Sequence, residues 1–326
     1  MPDQLVQTVP SLDQTLRVRN PLPEMVTAAG PAGQFAWDEF FSAQIRNKYT
    51  RAAYLHAVRR FLTWAESRAP SLDRVTPGMV GDYFDDHPGS APTKNLHLAA
   101  LRAFFRILVN RHIVILNPAA TVRGERYHVV EGKTPEISRD DARVLLDSID
   151  TTKSVGRRDK AIIATLVYTA TRAGAVASLR LRDFTWDGTQ YSLRFIEKGG
   201  KSRSIPVRHD LQFMLLAYLD DLQWQSEAGD RPLFRTVSGR TGKLTDRPLT
   251  NIDICRMLKR RLRVAGLPLH LSPHSFRVTT LTDLLQQGVP LEDAQYLAGH
   301  ADPRTTRLYD RRQKQVTRNT VERISI

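Results

Sequence analysis

The segment Leu297-Ala-Gly-His300-Ala-Asp302-Pro303-Arg-Thr-Thr-Arg-Leu-Tyr309 joins a glycine turn, a helix start and a tyrosine that follows two arginines. Asp302 is a favoured N-cap residue and Pro303 suits the first helical position. The sequence therefore predicts a helix that begins here and carries Tyr309 about two turns in. A tyrosine held beside a histidine and arginines can attack a phosphodiester without a metal. Taken alone, however, the segment favours an ordinary helix whose tyrosine packs at the edge of a core.

A second segment, Ser272-Pro-His274-Ser-Phe-Arg277, opens another predicted helix. Ser272 is the expected N-cap, a proline follows it, and Gly288 is a natural C-terminal stop. His274 and Arg277 then share one face close to the helix N-terminus, where backbone N–H groups favour an anion. A phosphate fits this corner. For an isolated histidine and arginine at this spacing, a solvated helix end is commoner than a phosphate-binding site.

Arg172 and Lys198 are two further candidates, and both are predicted to lie at turns. The apolar helix that contains residues 162–167 should end at a threonine-rich turn, and Arg172 follows where the next helix begins. Residues 191–195 alternate as a strand and residues 204–207 form its return, which predicts a β-hairpin with Lys198 at its tip. By itself, a lysine at a hairpin tip is usually only a solubilising residue.

Together and in this order, six residues resemble the active-site set of the tyrosine recombinases, the integrase family of site-specific DNA recombinases. They are Arg172, Lys198, His274, Arg277, His300 and Tyr309. The blocks Thr169 to Leu179, Pro273 to Arg277 and Leu297 to Tyr309 are similar to the three hallmark motifs of that family, and the resemblance covers about Gln34 to Arg312. It implies that the first arginine and the HxxR pair hold the scissile phosphate. It also implies that the hairpin lysine protonates the leaving oxygen, that the later histidine supports the phosphate and proton handling, and that the tyrosine attacks.

Four positions depart from the family pattern. The family usually has an acidic residue where this chain has Ala175, and a glycine where it has Ala170. The usual leucine within HxLR is Phe276 here, and the common histidine after the second arginine is Val278. These positions support the site rather than form it, so the six residues keep the roles that the resemblance implies. Because the usual acidic residue is absent, another residue must hold the side chain of Arg172.

The chemistry expected of this set follows from the properties of a phenol. A tyrosine hydroxyl with the ordinary pKa near 10 is ionised to about one part in a thousand at neutral pH, so attack requires groups that accept its proton and stabilise a five-coordinate phosphorus. Arginine can bind two phosphate oxygens with its planar fork, whereas lysine, a movable point charge, suits proton donation. The expected product is a 3′-phosphotyrosyl link with a free 5′-hydroxyl. Because one phosphodiester replaces another, a second 5′-hydroxyl can rejoin the strand, and no metal, cofactor or ATP is expected.

The composition favours a nucleic-acid partner. The 326 residues include 48 Lys and Arg against 34 Asp and Glu, which gives a net charge of +14 and a pI near 10.2. The sequence has no apolar run long enough to span a membrane and no signal-peptide pattern, and its single cysteine, Cys255, excludes an internal disulfide or a Cys-rich zinc cluster. Gly200-Lys-Ser202 imitates the end of a Walker A loop, but Phe195 stands where an earlier glycine is required. We therefore expect a cytoplasmic, nucleoid-associated protein that does not bind membranes.

The chain is predicted to be mainly α-helical, with two domains. The expected parts are a flexible N-terminal segment (1–33), a small helical SAM-like DNA-binding domain (34–116), an interdomain linker (117–137), a larger helical catalytic domain with a small antiparallel β-sheet (138–315) and a C-terminal tail (316–326). Three helical patterns support the smaller domain: residues 54–62, a helix opened by Thr76-Pro77, and residues 96–107. Lys94, Arg102 and Arg106 on the third helix are candidate phosphate contacts, although a charged helix face is equally often only solvated.

The resemblance also implies partners. It implies double-stranded DNA with paired inverted binding sites, a homotetramer that acts on two such DNA sites, and the use of an accessory DNA-bending protein in some members. A C-terminal tail often packs on a neighbouring protomer in this family, and Ile326 is the best apolar candidate for that contact. Two alternatives remain: a type IB topoisomerase, which would relax supercoils without a defined site, and a catalytically silent DNA-binding relative.

Overall fold

The computed structural model describes residues 21–126, 134–196 and 202–310, apart from the side chains of Ser226 and Arg240. The chain divides into two compact units, Met1–His128 and Val129–Ile326. Both units are mostly helical and the second carries small antiparallel sheets, which confirms the predicted mainly α, two-domain fold. No helix within these described ranges is long and apolar enough to cross a membrane.

The first unit is a set of helices around an aromatic core. Its helices are α1 (Glu24–Ala28), α2 (Gly30–Asp38), which continues as a π-helical segment over Glu39–Gln44, α3 (Lys48–Ala65), α4 (Pro77–Asp85) and α5 (Ala91–Asn110). Helices α3 and α5 meet in this core, where the rings of Phe61 and Phe105 are fully buried with centroids 6.1 Å apart. Of the apolar stripe predicted on α5, Phe104 and Ile107 are buried, whereas Leu96 is 42% exposed. Thr76 accepts a hydrogen bond from the Met79 N–H, so α4 begins at the predicted residue.

Residues 24–33 are helical rather than part of a flexible segment. Helix α1 buries Met25 and Val26 in the core of the first unit. A Cβ on Gly33 would lie 2.6 Å from the Val26 carbonyl oxygen, so the close contact between α1 and α2 requires glycine. A helix of five residues is shorter than two turns and leaves no periodic signal in the sequence. The domain start expected at residue 34 is therefore corrected: the folded unit begins earlier.

The first part of the expected linker packs on α5. Ala119 is buried in the core of the first unit, and Arg102 donates hydrogen bonds to the carbonyl oxygens of Ala119, at 3.1 Å, and Val122. The side chain of Asn95 pairs with both the N–H and the carbonyl oxygen of Glu125, at 2.9 Å each. This stretch therefore belongs to the first unit, and the linker is shorter than expected.

The second unit surrounds a larger apolar core. Its helices are α6 (Arg139–Asp147), α7 (Ser154–Thr169), α8 (Ala173–Ala177), α9 (His209–Asp220), α10 (Asn251–Val264), α11 (Pro273–Gln286), α12 (Leu291–Ala298) and α13 (Pro303–Arg307). Ile162, Ile163 and Leu166 of the stripe predicted on α7 are fully buried in this core, and Val167 packs against it half-buried. Helix α11 begins at Pro273, and Gly288 follows its end in a left-handed conformation with φ of 86°, as predicted.

Two antiparallel sheets lie in the second unit. Strands β1 (Phe184–Trp186), β2 (Tyr191–Ile196) and β3 (Ser202–Pro206) form the first sheet in that order, and β4 (Arg235–Ser238) and β5 (Lys243–Pro248) form the second. Strands β2 and β3 flank residues 197–201 and confirm the predicted hairpin, with Phe195 opposite Arg203. The second sheet was not predicted, because its strands are mostly polar and half-exposed and show no clear alternation of apolar residues.

Candidate active site

Arg277 places a positive charge inside the second unit. It lies on the second turn of α11 and is only 1% exposed. Its Nη1 donates to the carbonyl oxygen of Ala170 at 2.6 Å, whereas its Nε and Nη2 are buried and have no hydrogen-bond partner among the described residues. Burial lowers the pKa of Arg277 to about 10, with a further contribution from the charge of Arg172, while Tyr309 opposes the shift. The guanidinium is therefore still protonated at neutral pH and has donors left for an incoming anion.

Ala170 forms the turn that connects Arg277 with Arg172. It follows the end of α7 in a left-handed conformation, with φ of 48° and ψ of 27°. This is the position at which the family pattern has glycine, and an L-residue costs about 1–2 kcal/mol there. Arg172 comes two residues later as the N-cap of α8. Arg172 is exposed, and its charge contributes to lowering the pKa of both His274 and His300, which places all three groups at one site.

Tyr309 lies beside these cations, although not on a helix as predicted. Asp302 accepts a hydrogen bond from the Arg304 N–H at 2.9 Å and caps α13, which confirms the predicted start of the helix. The helix ends at Arg307, however, and Tyr309 lies in the turn that follows, where its N–H donates to the Thr306 carbonyl oxygen at 3.0 Å. Only 6% of Tyr309 is exposed, so its phenol is held in one place.

His274 is the neighbour of the Tyr309 hydroxyl. Its Nε2 lies 3.4 Å from that oxygen, and the two rings meet edge to face with centroids 6.4 Å apart. Partial burial lowers the pKa of His274, and the charges of Arg277 and Arg172 lower it further. At neutral pH the imidazole is therefore uncharged and can accept a proton from the phenol.

The position of His300 is fixed by the turn at the end of α12. Gly299 is left-handed, with φ of 63°. The N–H groups of Gly299 and His300 donate to the carbonyl oxygens of Tyr296 and Gln295, at 3.0 and 3.2 Å. This is the hydrogen-bond pattern of a Schellman turn, in which the glycine reverses the chain and the next residue is held against the helix end. The turn therefore presents His300 at a defined point.

The His300 ring packs on Tyr309. The two rings are nearly parallel, at 8°, with centroids 5.7 Å apart, and Nδ1 of His300 lies 2.8 Å from the hydroxyl oxygen of Thr306. Burial lowers the pKa of His300 to about 3, and the charge of Arg277 is the next contribution. His300 is therefore uncharged at neutral pH, and it can donate or accept a hydrogen bond but contributes no positive charge.

The structure brings five of the six predicted catalytic residues together in the second unit. They are Arg172, His274, Arg277, His300 and Tyr309. The sixth, Lys198, lies outside the described residues, between β2 and β3.

Two residues that contact the candidate site, Thr306 and Arg203, were not predicted from the sequence. Nothing in the sequence distinguishes Thr306 from its neighbour Thr305, whereas Arg203 had a signal, since it occupies an inward position of an alternating strand.

The three predicted DNA contacts of α5 have different surroundings. Lys94 forms an ion pair with Glu125, with 2.8 Å between Nζ and Oε1. Arg102 holds the carbonyl oxygens of the segment that packs on α5. Arg106 is exposed and has no hydrogen-bond or ion-pair partner among the residues that the structure describes. Lys94 and Arg102 thus contact the segment that follows α5, and the DNA contacts of all three residues stay predictions.

Comparison with known proteins places the chain in a family. Residues 136–316 match the model of the phage integrase family, and residues 37–112 match the N-terminal SAM-like domain of phage integrases. The first match alone covers more than half of the chain. The chain belongs to the phage integrase family. The protein is thus a site-specific tyrosine recombinase that acts on DNA.

Several named proteins resemble this phage integrase family member. It is 28% identical to tyrosine recombinase XerD of Pseudomonas putida over 263 residues, or 80% of this chain and 85% of the relative. It is 24% identical to tyrosine recombinase XerC of Xanthomonas campestris over 300 residues, or 89% and 88%. The fold is similar to that of XerH site-specific recombinase in a post-cleavage complex with palindromic difH substrate, with a TM-score of 0.67 at 18% identity and coverage of 89% and 94%. It is also similar to that of a lambda integrase dimer bound to a COC′ core site, with a TM-score of 0.63 at 17% identity and coverage of 86% and 95%.

Proposed function

We propose that this recombinase breaks and rejoins DNA strands through a covalent 3′-phosphotyrosyl link to Tyr309. The main support is the meeting of three groups: the Tyr309 hydroxyl, the uncharged His274 ring 3.4 Å away, and the buried guanidinium of Arg277, two of whose nitrogens have no hydrogen-bond partner in the described part of the chain. Donors fixed in a buried site bind the charge that develops on a phosphate far better than water does. The arrangement is therefore suited to stabilise a five-coordinate phosphorus while a phenol attacks it.

Each residue has one task in the proposed cleavage. Arg172 and Arg277 bind the non-bridging oxygens of the scissile phosphate. His274 takes the proton of the Tyr309 hydroxyl as the phenolic oxygen bonds to phosphorus and the bond from phosphorus to the 5′-oxygen breaks. Lys198 gives the proton that turns the leaving oxygen into a 5′-hydroxyl. Rejoining runs the same steps in reverse with a 5′-hydroxyl as the nucleophile.

His300 supports the phosphate as an uncharged ring. In the proposed tautomer the Thr306 hydroxyl, 2.8 Å from Nδ1, donates to that nitrogen. The ring proton is then on Nε2 and is available to a phosphate oxygen. Its contact with the face of the Tyr309 ring also restricts the phenol to one orientation. The proposed site thus combines charged donors with one neutral donor.

Replacement of the nucleophile tests this proposal. Tyr309→Phe is expected to bind DNA normally and to form no covalent adduct on a nicked suicide duplex, because only the attacking oxygen is removed. The duplex carries the inverted repeats that the wild-type protein selects from a random-sequence library, and the adduct is detected as a shifted band under denaturing conditions. Tyr296→Phe is the matched control, since Tyr296 lies on α12 and is 64% exposed. An adduct formed by Tyr309→Phe would rule out the assignment.

We also propose that the recombinase works as a homotetramer on two DNA duplexes, each with paired inverted sites. The net charge of +14 suits a polyanion partner. One similar fold is that of a lambda integrase tetramer bound to a Holliday junction, with a TM-score of 0.61 at 17% identity. An accessory DNA-bending protein and a contact of Ile326 with a neighbouring protomer complete the proposal, and Ile326 lies outside the described residues.

A further inference from the structure

Arg203 is a buried arginine next to the candidate active site. It lies on β3, opposite Phe195, and only 6% of it is exposed. Its guanidinium carbon is 5.5 Å from the centre of the Phe195 ring. Burying an arginine is costly unless its donors are used. The partners of its two terminal nitrogens therefore show what the residue does.

One terminal nitrogen of Arg203 binds the end of α12. Its Nη1 donates to the carbonyl oxygens of Tyr296, at 3.3 Å, and Leu297. The last carbonyls of a helix have no partner within the helix, and a positive charge is favourable there because the helix dipole is negative at this end. The same end continues directly into Gly299 and His300. The guanidinium therefore caps the helix at the turn that presents the His300 ring.

The other terminal nitrogen binds the turn before Arg172. Its Nη2 donates to the Thr171 hydroxyl oxygen at 3.3 Å, and Thr171 is itself buried and bonded to Thr169. The preceding residue, Ala170, is held through its carbonyl oxygen by Arg277. The turn that presents Arg172 is thus held by two arginines from different elements of the second unit.

We propose that Arg203 is a positioning residue that ties the turn presenting His300 to the turn presenting Arg172 and so sets the spacing of the phosphate donors. This inference rests on the proposed function of those two residues. Both terminal nitrogens of the guanidinium are needed, because Nη1 binds the end of α12 and Nη2 binds Thr171. A lysine would keep the charge but offers one nitrogen at the end of a flexible stem, so it cannot hold both turns at once.

The matched pair for the test is Arg203→Lys and Arg235→Lys. Arg235 is also a buried arginine on a strand of the second unit, 4% exposed, but it is bonded to Glu227 and to Asp246 of β5. Adduct formation is measured at saturating concentrations of the selected nicked duplex, together with DNA affinity and thermal unfolding. Arg203→Lys is expected to slow cleavage about 10- to 100-fold without a change in DNA affinity, as for a small misplacement of catalytic groups. Arg235→Lys should lower the unfolding temperature and leave the cleavage rate of the folded protein unchanged.

A second readout does not depend on cleavage. The ¹⁵N NMR signals of the His300 ring in the free protein should shift in Arg203→Lys and stay in place in Arg235→Lys. If Arg203→Lys does not fold, Thr171→Val carries the test, because it removes the hydroxyl that accepts from Arg203 and keeps the shape of the side chain. The same change removes the bonds of this hydroxyl with Thr169, so slower cleavage together with shifted His300 signals supports the proposal. Wild-type rates and unshifted His300 signals in either site variant would overturn it. Absence of an adduct with the wild-type protein would instead count against the proposed function, and the NMR comparison would still decide the role of Arg203.

Discussion

Arg277 shows how a single residue can serve binding at the expense of folding. In the free protein its charge is buried with two nitrogens that lack partners among the described residues, and its pKa is lowered to about 10 as a result. Apolar side chains often replace buried charges with no loss of stability, so folding alone does not require an arginine at this position. In the proposed function a bound phosphate would supply the missing acceptors and make the same burial favourable, because charge-assisted hydrogen bonds are stronger away from water.

His300 should make the stability of the second unit depend on pH. An unfolded histidine takes up its proton near pH 6.5, whereas the pKa of His300 in the folded protein is about 3. Between these values the unfolded chain binds more protons, so the free energy of unfolding should fall as the pH is lowered from about 6.5 towards 3. Urea unfolding of wild type and His300→Gln at a series of pH values measures this, and the variant should lose part of the slope.

The exposed His270 provides the control for this titration. His270→Gln makes the same substitution at the surface, and only the slope that His300→Gln loses beyond this control is attributed to the buried ring. Identical slopes in wild type and His300→Gln would show that burial of the His300 ring is not the cause.

At the scale of elements, we predict that Arg106 of α5 contacts DNA whereas Arg102 of the same helix stabilises the first unit. Arg106→Ala should leave the unfolding temperature unchanged, weaken DNA binding and reduce the slope of log K against log salt by about 1, because one phosphate contact is lost. Arg102→Ala should instead lower the unfolding temperature, since it removes the hydrogen bonds to the carbonyl oxygens of Ala119 and Val122. Fluorescence anisotropy with the selected duplex at several salt concentrations gives the slopes. A wild-type salt slope in Arg106→Ala would remove that residue from the DNA interface.

Helix starts could be predicted from the sequence more reliably than helix ends. The capping residues Thr76 and Asp302 lie next to the backbone N–H groups that they satisfy, so the signal is local. The end of α13 at Arg307 has no such local signal. The turn that follows is set by the packing of Tyr309 against His274 of α11 and against His300, which precedes α13. Helix α1 was not predicted because it is too short to show a helical period. Strands β4 and β5 were not predicted because they are polar and half-exposed and show no alternation of apolar residues.

The candidate site was predictable to the extent that its residues occur in short motifs. His274 and Arg277 share a helix face by spacing alone, and the family resemblance supplied the remaining positions. The supporting groups are defined only by the folded structure: Thr306 orients a ring six residues away, and Arg203 reaches two turns that the sequence does not connect. The departure at Ala170 is also explained there, because the left-handed turn is kept without the usual glycine.

At the scale of the whole molecule, the number of nucleophiles sets the size of the working assembly. In the proposed mechanism each protomer has one attacking residue, Tyr309, and it can therefore cut one strand. Exchange between two duplexes breaks both strands of each, so it requires four cuts and four protomers. A topoisomerase that relaxes supercoils needs one cut at a time and works with a single protomer. The two alternatives therefore differ in how activity depends on the number of active subunits.

Mixing wild-type protein with Tyr309→Phe should reveal this number. The variant keeps its binding surfaces, so it enters the assembly at random but contributes no cut. In an equal mixture that forms tetramers, the yield of recombined plasmid should fall to roughly one sixteenth, because all four subunits must be active. The measurement uses purified protein and a plasmid that carries two copies of the selected site, and an equal mixture with Tyr296→Phe should retain the full yield. A loss of activity in simple proportion to the wild-type fraction, or relaxation of a plasmid that carries no selected site, would favour a protein that acts as a monomer.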